Sequence, residues 1–201
     1  MSNYQASIIF KEDLSSGGHK IPVGIHANCT LESVEKGETF YDINFKDSEG
    51  HTHNKRLWQP KGAFPRKDKD GNIIETPQDA LAREERENMR HFIKLLYIFL
   101  GEDGLATVSG NSYNEFMEKA AALLNQKANT KKLNLKLIYD STGVYSEFPK
   151  TLGFGSDYME EYVEGQEPTL TFSKWELENR VEQKATATVS RKKDELDILL
   201  G

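Results

Sequence analysis

Apolar and polar residues alternate without interruption over 41–46, and this alternation constrains the fold more than any other feature of the chain. Three apolar residues occupy one face of the predicted strand and three polar residues the other: Tyr41, Ile43 and Phe45 against Asp42, Asn44 and Lys46. A strand of this kind has one buried and one wet face, as in antiparallel sheets. The flanking segments 21–37 and 52–60 are also β-rich, with a turn at Gly50 between strands. The sequence therefore predicts a three-stranded meander, with a bulge or bend at Gly24.

Two helices are predicted downstream of the meander. Thr76 followed by Pro77 is a typical N-cap and first residue, and apolar residues then recur at helical spacing. Ser112 and Glu115 match a capping box at the start of a second helix. Together these signals predict a helical insert over about 76–128.

Strand patterns return after the helices. Residues 132–140 and 144–150 are joined by the turn residues STG, which predicts a β-hairpin. Alternation in the first of these strands turns four residues inward and two outward: Leu133, Leu135, Leu137 and Tyr139 against Asn134 and Lys136.

The predicted order is three strands, a helical segment, and two strands. This order predicts a mainly β fold with a helical insert (α+β), specifically a five-stranded OB-fold barrel with helices between strands 3 and 4. A generic α+β sandwich is the alternative. The predicted domain covers 1–175, and 176–201 forms an extension ending in a flexible acidic tail.

The stretch 50–67 contains cations and aromatic rings but no carboxylate, although the chain has 26 basic against 32 acidic residues. Cations along a groove and exposed rings are what a sequence-independent binder of single strands needs, since phosphates and base faces recur at every nucleotide. If Leu57 is a core residue, alternation turns Arg56 and Trp58 outward together. The predicted nucleic-acid contacts are Lys46, Lys55, Arg56, Trp58, Lys61, Phe64, Arg66, Lys67 and Lys136. In the alternative interpretation, Trp58 closes one end of the barrel and the cations are an ordinary solvated surface.

The C-terminus combines acidic and apolar residues after the basic run 191–193. Such a tail can recruit a protein partner, and its predicted contact residues are Asp194, Glu195, Asp197, Ile198, Leu199 and Leu200. A short terminal helix packed on its own domain, or a frayed end, explains the same pattern.

Signatures of enzymes are missing from the sequence. It has no phosphate-binding loop, dinucleotide fingerprint or nucleophile elbow, so no catalytic residue and no cofactor are expected. His26, Cys29, His51 and His53 lack the spacing of a zinc finger, and no metal site is predicted. The single cysteine and the absence of a membrane-spanning run fit a protein of the cytoplasm with no membrane partner.

The runs IPVGIHANCTLESVE and FYDINFKDSEGHTHNKRLW resemble the opening strands of single-stranded DNA-binding proteins of tailed bacteriophages, including the crAss-like group. KLNLKLIYDSTGVYSEFPK is similar to their closing strands, and DELDILL resembles their acidic tail, although it ends in Leu-Leu-Gly instead of an aromatic residue. This resemblance implies an OB-fold, roles in DNA replication and recombination in the host cytoplasm, and contacts to a polymerase or helicase.

The leading hypothesis is therefore a non-enzymatic protein that coats single-stranded DNA. A virion-associated or scaffold protein, using the barrel for protein contacts, is the alternative, because the first helix looks more apolar than one small barrel requires. A nuclease is a third class, disfavoured by the missing catalytic patterns. The sequence does not determine whether the protein forms a homo-oligomer.

Overall fold

The computed structural model describes residues 20–149 and 157–181. One antiparallel sheet contains six strands: β1 Gly24–Lys36, β2 Phe40–Lys46, β3 Thr52–Trp58, β4 Lys132–Tyr139, β5 Ser146–Glu147 and β6 Met159–Glu161. They are ordered β3-β2-β1-β4-β5, and β6 also pairs with β4. The predicted meander and hairpin are both present, although the last strand of the hairpin is only two residues long.

The sheet curls into a nearly closed barrel because β1 bends and pairs with β2 on one edge and β4 on the other. β1 is irregular between His26 and Cys29, where Asn28 has a φ of 59°, and again between Leu31 and Ser33, whereas Gly24 begins the strand. Residues 20–21 span the remaining gap. Lys20 pairs with Thr52 of β3, and the Ile21 carbonyl accepts a hydrogen bond from Ser146 of β5. The prediction of a mainly β, OB-like barrel with helices is confirmed.

Two helices lie between β3 and β4, and a third follows β6: α1 Pro77–Leu105, α2 Tyr113–Lys127 and α3 Lys174–Glu176. The predicted N-caps are confirmed, because Thr76 and Ser112 accept the backbone N–H groups three residues ahead at 3.1 and 3.3 Å. The capping box of α2 is modified, since Glu115 accepts the Asn111 N–H instead of that of Ser112. Gly101, with a φ of 73°, breaks the regular helix near the end of α1.

The core fills the barrel and the space beneath the helices. The inward face of β2 packs against α1, for example through Tyr41 and Phe92, whose ring centroids lie 5.6 Å apart. Phe148 is 1% exposed and plugs the gap in the barrel by packing edge-on against Phe45 and His53. The apolar half of α1 is buried as well. The same helix is amphipathic at its start and buried later because only its second half lies over the core.

The prediction that Asn134 and Lys136 face water is wrong. Lys136 is fully buried, and its Nζ donates to the Thr171 carbonyl at 2.9 Å and to Glu176 at 3.2 Å. Residues 157–181 cover the outer face of β4, so both faces of this strand are buried. Alternation describes one strand and its solvent, and it contains no information about a segment that returns from 35 to 40 residues downstream.

The acidic tail 194–200 and the basic run before it lie outside the described residues. Within the described part of the chain, no helix combines the length and the apolar character that crossing a membrane requires.

Candidate nucleic-acid interface

A groove of about 960 Å³ runs between β3, the loop 59–66 and the first half of α1. It is here called the β3–α1 groove. Six of the nine predicted nucleic-acid contacts line it: Lys55, Arg56, Trp58, Lys61, Phe64 and Arg66. β3 and the loop 59–66, which are adjacent in sequence, thus form one side of the groove, and α1 forms the other side.

Two aromatic side chains stand open to solvent in the β3–α1 groove. Trp58 is 60% exposed and Phe64 is 78% exposed, which confirms that Trp58 faces outward and does not close the barrel. Trp58 lies opposite Phe40 in the register of β2 and β3, and the two rings meet edge-on at 5.5 Å. This edge contact orients the indole while most of the side chain stays exposed.

Arg56 is already occupied by an ion pair. Its Nε and Nη2 donate to the two carboxylate oxygens of Asp42 at 2.8 and 2.6 Å, and Asp42 is 8% exposed. The guanidinium carbon also lies 3.9 Å from the ring centroid of Phe40 and 5.4 Å from that of Trp58. Bidentate pairing and ring contacts hold Arg56 between the two aromatics, so it supports Trp58 more than it offers a free charge.

The loop that carries Phe64 is fixed to α1 by carboxylates from outside the acid-free stretch. Glu84 accepts the backbone N–H groups of Lys61, Gly62 and Phe64 at 3.2, 3.1 and 3.4 Å. Arg83 donates to the Phe64 carbonyl at 2.7 Å. A loop without carboxylates of its own is therefore ordered by a helix next to it.

A second anchor holds the loop further along, at Arg66. Glu75 accepts the backbone N–H of Arg66 at 2.9 Å and pairs with Arg83. Arg83 also pairs along the helix with Glu87, four residues ahead, at 3.3 Å.

The β3–α1 groove is basic in an acidic protein. Five cations line it against two carboxylates, Glu84 and Glu87, whereas the whole chain has a net charge of −6. Lys61, Arg66 and Arg90 make no side-chain ion pair within residues 20–149 and 157–181. Lys55 differs from them: it points to the same side of β3 as Leu57 and is half-buried at the rim.

α1 contributes residues to the groove that were not predicted from the sequence. Asn88 donates to the Trp58 carbonyl at 2.8 Å, which fixes the end of β3 against α1. His91 is hydrogen-bonded to the Tyr158 hydroxyl at 2.7 Å, and burial, helped by nearby Lys55, lowers its pKa to about 3. Positions 84, 87, 88 and 91 share one face of a helix, and this spacing is the feature of the sequence from which the residues could have been grouped together. It becomes informative only once this face is known to meet β3.

Three predicted contacts lie apart from the others. Lys46 is at the opposite end of β2, about 20 Å from Phe40 at the usual rise per residue, and faces Glu32 at 3.7 Å. Lys67 begins the turn beyond Arg66 and does not line the groove. Lys136 is buried beneath residues 157–181. Between Lys46 and Arg56 the outer faces of β2 and β3 add no further cation: Asn54 donates to Asn44 at 2.8 Å, and Asn44 donates to the Glu35 carboxylate of β1 at 3.1 Å.

The histidines and the cysteine near the sheet do not assemble into a ligand set. Burial raises the pKa of Cys29 to about 12 and lowers that of His53 to about 4. Among the described residues, no three His, Cys, Asp or Glu side chains lie together in a way that could hold a metal ion.

No model of a known protein family matches the chain, and neither does any curated protein or solved structure. The functional interpretation therefore depends on the geometry and charge of the β3–α1 groove.

Proposed function

We propose that the protein binds single-stranded DNA without sequence preference, in the β3–α1 groove. The observation that carries the proposal is the exposure of Trp58 and Phe64 between Lys61, Arg66 and Arg90. A single strand presents phosphates to such cations and uncovered base faces to such rings, so this combination of residues suits unpaired nucleotides.

In this mechanism, the cations neutralise phosphates while the two rings stack on bases. Stacking requires a base face that is not covered by its neighbours, which favours single strands over duplex. Every base has such a face, so binding does not depend on sequence. Because Glu84 and Arg83 order the loop before binding, little conformational entropy is lost when the strand docks.

The proposed biological role is DNA replication or recombination, as the sequence resemblance implies. A replication protein such as a polymerase or helicase would then dock on the tail residues 194–200, which lie outside the described residues. The alternative of a virion-associated or scaffold protein was suggested by the apolar half of α1. Leu95, Leu96 and Ile98 of that half are buried within the protein itself, so the apolar character of α1 is explained by its own core and needs no partner.

The test is a fluorescence titration with oligo-dT and with duplex of equal length. Trp175 is also exposed, so Trp175→Phe provides a background in which the signal comes from Trp58 alone. Quenching by oligo-dT at low salt, and weaker binding of duplex, are expected. Trp58→Ala is expected to weaken oligo-dT binding by about 5- to 150-fold, corresponding to about 1–3 kcal/mol for one stacked base. A folded wild-type protein without affinity for oligo-dT at low salt would overturn the proposal.

A further inference from the structure

A second groove, of about 400 Å³, lies at the other end of β3. It is bounded by the first described residues of the chain, by β3 and by the turn between β4 and β5. It is here called the Tyr145 groove. Its lining includes Lys20, His53, Asn54, Val144 and Tyr145.

Tyr145 is displayed on a rigid turn. A single oxygen of Asp140, Oδ1, accepts the backbone N–H groups of Thr142, Val144 and Tyr145 at 3.2, 3.2 and 3.3 Å. The Asp140 N–H donates in return to the Tyr145 carbonyl at 2.8 Å. The ring is nevertheless 70% exposed. The Tyr145 ring is large, exposed and held in a fixed position, and no other ring of the described residues stacks on its face. A planar group from outside the protein can therefore stack there.

The Tyr145 groove also contains a cation. Lys20 is exposed, and its backbone is held in place by pairing with Thr52. No acidic side chain lines this groove. An exposed ring and a lysine repeat, on a smaller scale, the combination found in the β3–α1 groove.

The two grooves are consecutive on one strand. His53 and Asn54 line the Tyr145 groove, whereas the next four residues of β3, 55–58, line the β3–α1 groove. Trp58 is four residues from Asn54, which corresponds to about 13 Å along the strand. Among the described residues, β3 pairs with β2 on one edge, and its other edge is bridged only at Thr52. That open edge connects the grooves.

We propose that a bound single strand follows the open edge of β3 through both grooves, with Tyr145 as a second stacking position and Lys20 as its phosphate partner. Beyond Arg56 this path leaves the outer face of β2 and β3, where Asn54 donates to Asn44 and where the Glu35 carboxylate, which accepts from Asn44 at 3.1 Å, would repel phosphate. The inference rests on the proposed function of the β3–α1 groove and adds the direction and length of the bound strand.

The test measures affinity for oligo-dT of increasing length, from about 3 to about 15 nucleotides, within the range of site sizes of single OB-folds. The variants are Trp58→Ala, Tyr145→Ala and Tyr145→Phe. Tyr97→Ala is the matched control, since Tyr97 is 53% exposed on α1 and lines neither groove. The Trp58 penalty is expected at every length. The Tyr145→Ala penalty is expected to be absent for the shortest oligonucleotides and to grow about 5-fold or more with length, as expected for one stacked base.

Tyr145→Phe is expected to bind like the wild type, because it keeps the ring. If Tyr145→Ala matches Tyr97→Ala at all lengths while Trp58→Ala weakens binding, the two-groove path is wrong and the proposed function stands. If the wild-type protein binds no oligo-dT of any length, the proposed function itself fails. A Lys20→Gln variant with an unchanged salt dependence on the longest oligonucleotide would remove Lys20 from the path.

Discussion

Arg56 and Asp42 face each other across β3 and β2 as a bidentate ion pair, and the guanidinium lies against the rings of Phe40 and Trp58. The pair has no net charge, although Arg56 is part of the basic groove. From the sequence, Arg56 was expected to neutralise phosphate like the other cations. In the structure its role is instead to position the Trp58 ring.

The salt dependence of binding should distinguish these roles. Lys61→Gln removes an unpaired cation, so the log–log slope of affinity against salt is expected to become shallower by about 0.7, the value for one phosphate contact on a single strand. The double variant Asp42→Asn with Arg56→Gln removes no net charge and is expected to keep the wild-type slope while weakening affinity through a looser Trp58. Titrations with oligo-dT at several salt concentrations measure both. An equal change of slope in the two variants would show that Arg56 contacts phosphate.

Glu84 and Glu87 give a second, matched comparison, since both are carboxylates lining the β3–α1 groove. Removing either reduces repulsion of phosphate, so electrostatics alone predicts tighter binding for both variants. Glu84 also anchors three N–H groups of the loop. Glu84→Ala is therefore expected to weaken oligo-dT binding by about 2- to 10-fold through lost order of the loop, whereas Glu87→Ala should bind at least as well as the wild type. Parallel behaviour of the two variants would contradict a role for Glu84 in positioning Phe64.

Lys136 is expected to matter for stability and not for binding. Lys136→Met leaves the carboxylate of Glu176 buried without its cation, which is expected to lower the free energy of unfolding by about 3–5 kcal/mol. Combining Lys136→Met with Glu176→Leu removes both charges and should recover much of this loss. Urea denaturation of the two variants measures the effect. Under conditions where the single variant is folded, its affinity for oligo-dT should equal that of the wild type, and a selective loss of affinity would return Lys136 to the binding site.

The buried histidines predict how stability depends on pH. Burial lowers the pKa of His53 to about 4 and that of His91 to about 3, so the unfolded chain binds protons more readily than the folded protein. Their stabilising contribution is complete above the unfolded pKa of about 6.5 and is lost as the pH falls from there toward the folded values. Each histidine should reduce the free energy of unfolding by about 1.4 kcal/mol per pH unit within that window.

Urea denaturation at pH 7.5, 6.5 and 5.5 tests this dependence. His91→Gln retains a group that can bond to the Tyr158 hydroxyl but does not titrate. Its unfolding free energy should therefore fall with pH at about half the wild-type rate, because only one of the two histidine contributions, each about 1.4 kcal/mol per pH unit, remains. An identical pH dependence in wild type and variant would show that the pKa of His91 is not lowered in the folded protein.

Much of the site was accessible from the sequence because it depends on local patterns. The acid-free stretch includes the residues that line the groove from β3 and the loop, and alternation around Leu57 correctly turned Trp58 outward. The helical wall was not accessible. Asn88 and Arg90 look like ordinary positions of a solvated helix until the fold places that face against β3.

The sequence by itself determined the order of β1 to β5, α1 and α2, the N-caps of these two helices, and which face of β2 enters the core, because these follow from side-chain periodicity and hydrogen bonds between near neighbours. Only the tertiary structure decided what each polar face meets. Lys46 and Lys136 both occupy nominally wet positions, yet one lies beside Glu32 at the far end of the sheet and the other is buried against Glu176. The reason is physical: the burial of a charge depends on segments distant in sequence, and periodicity along one strand contains no information about them.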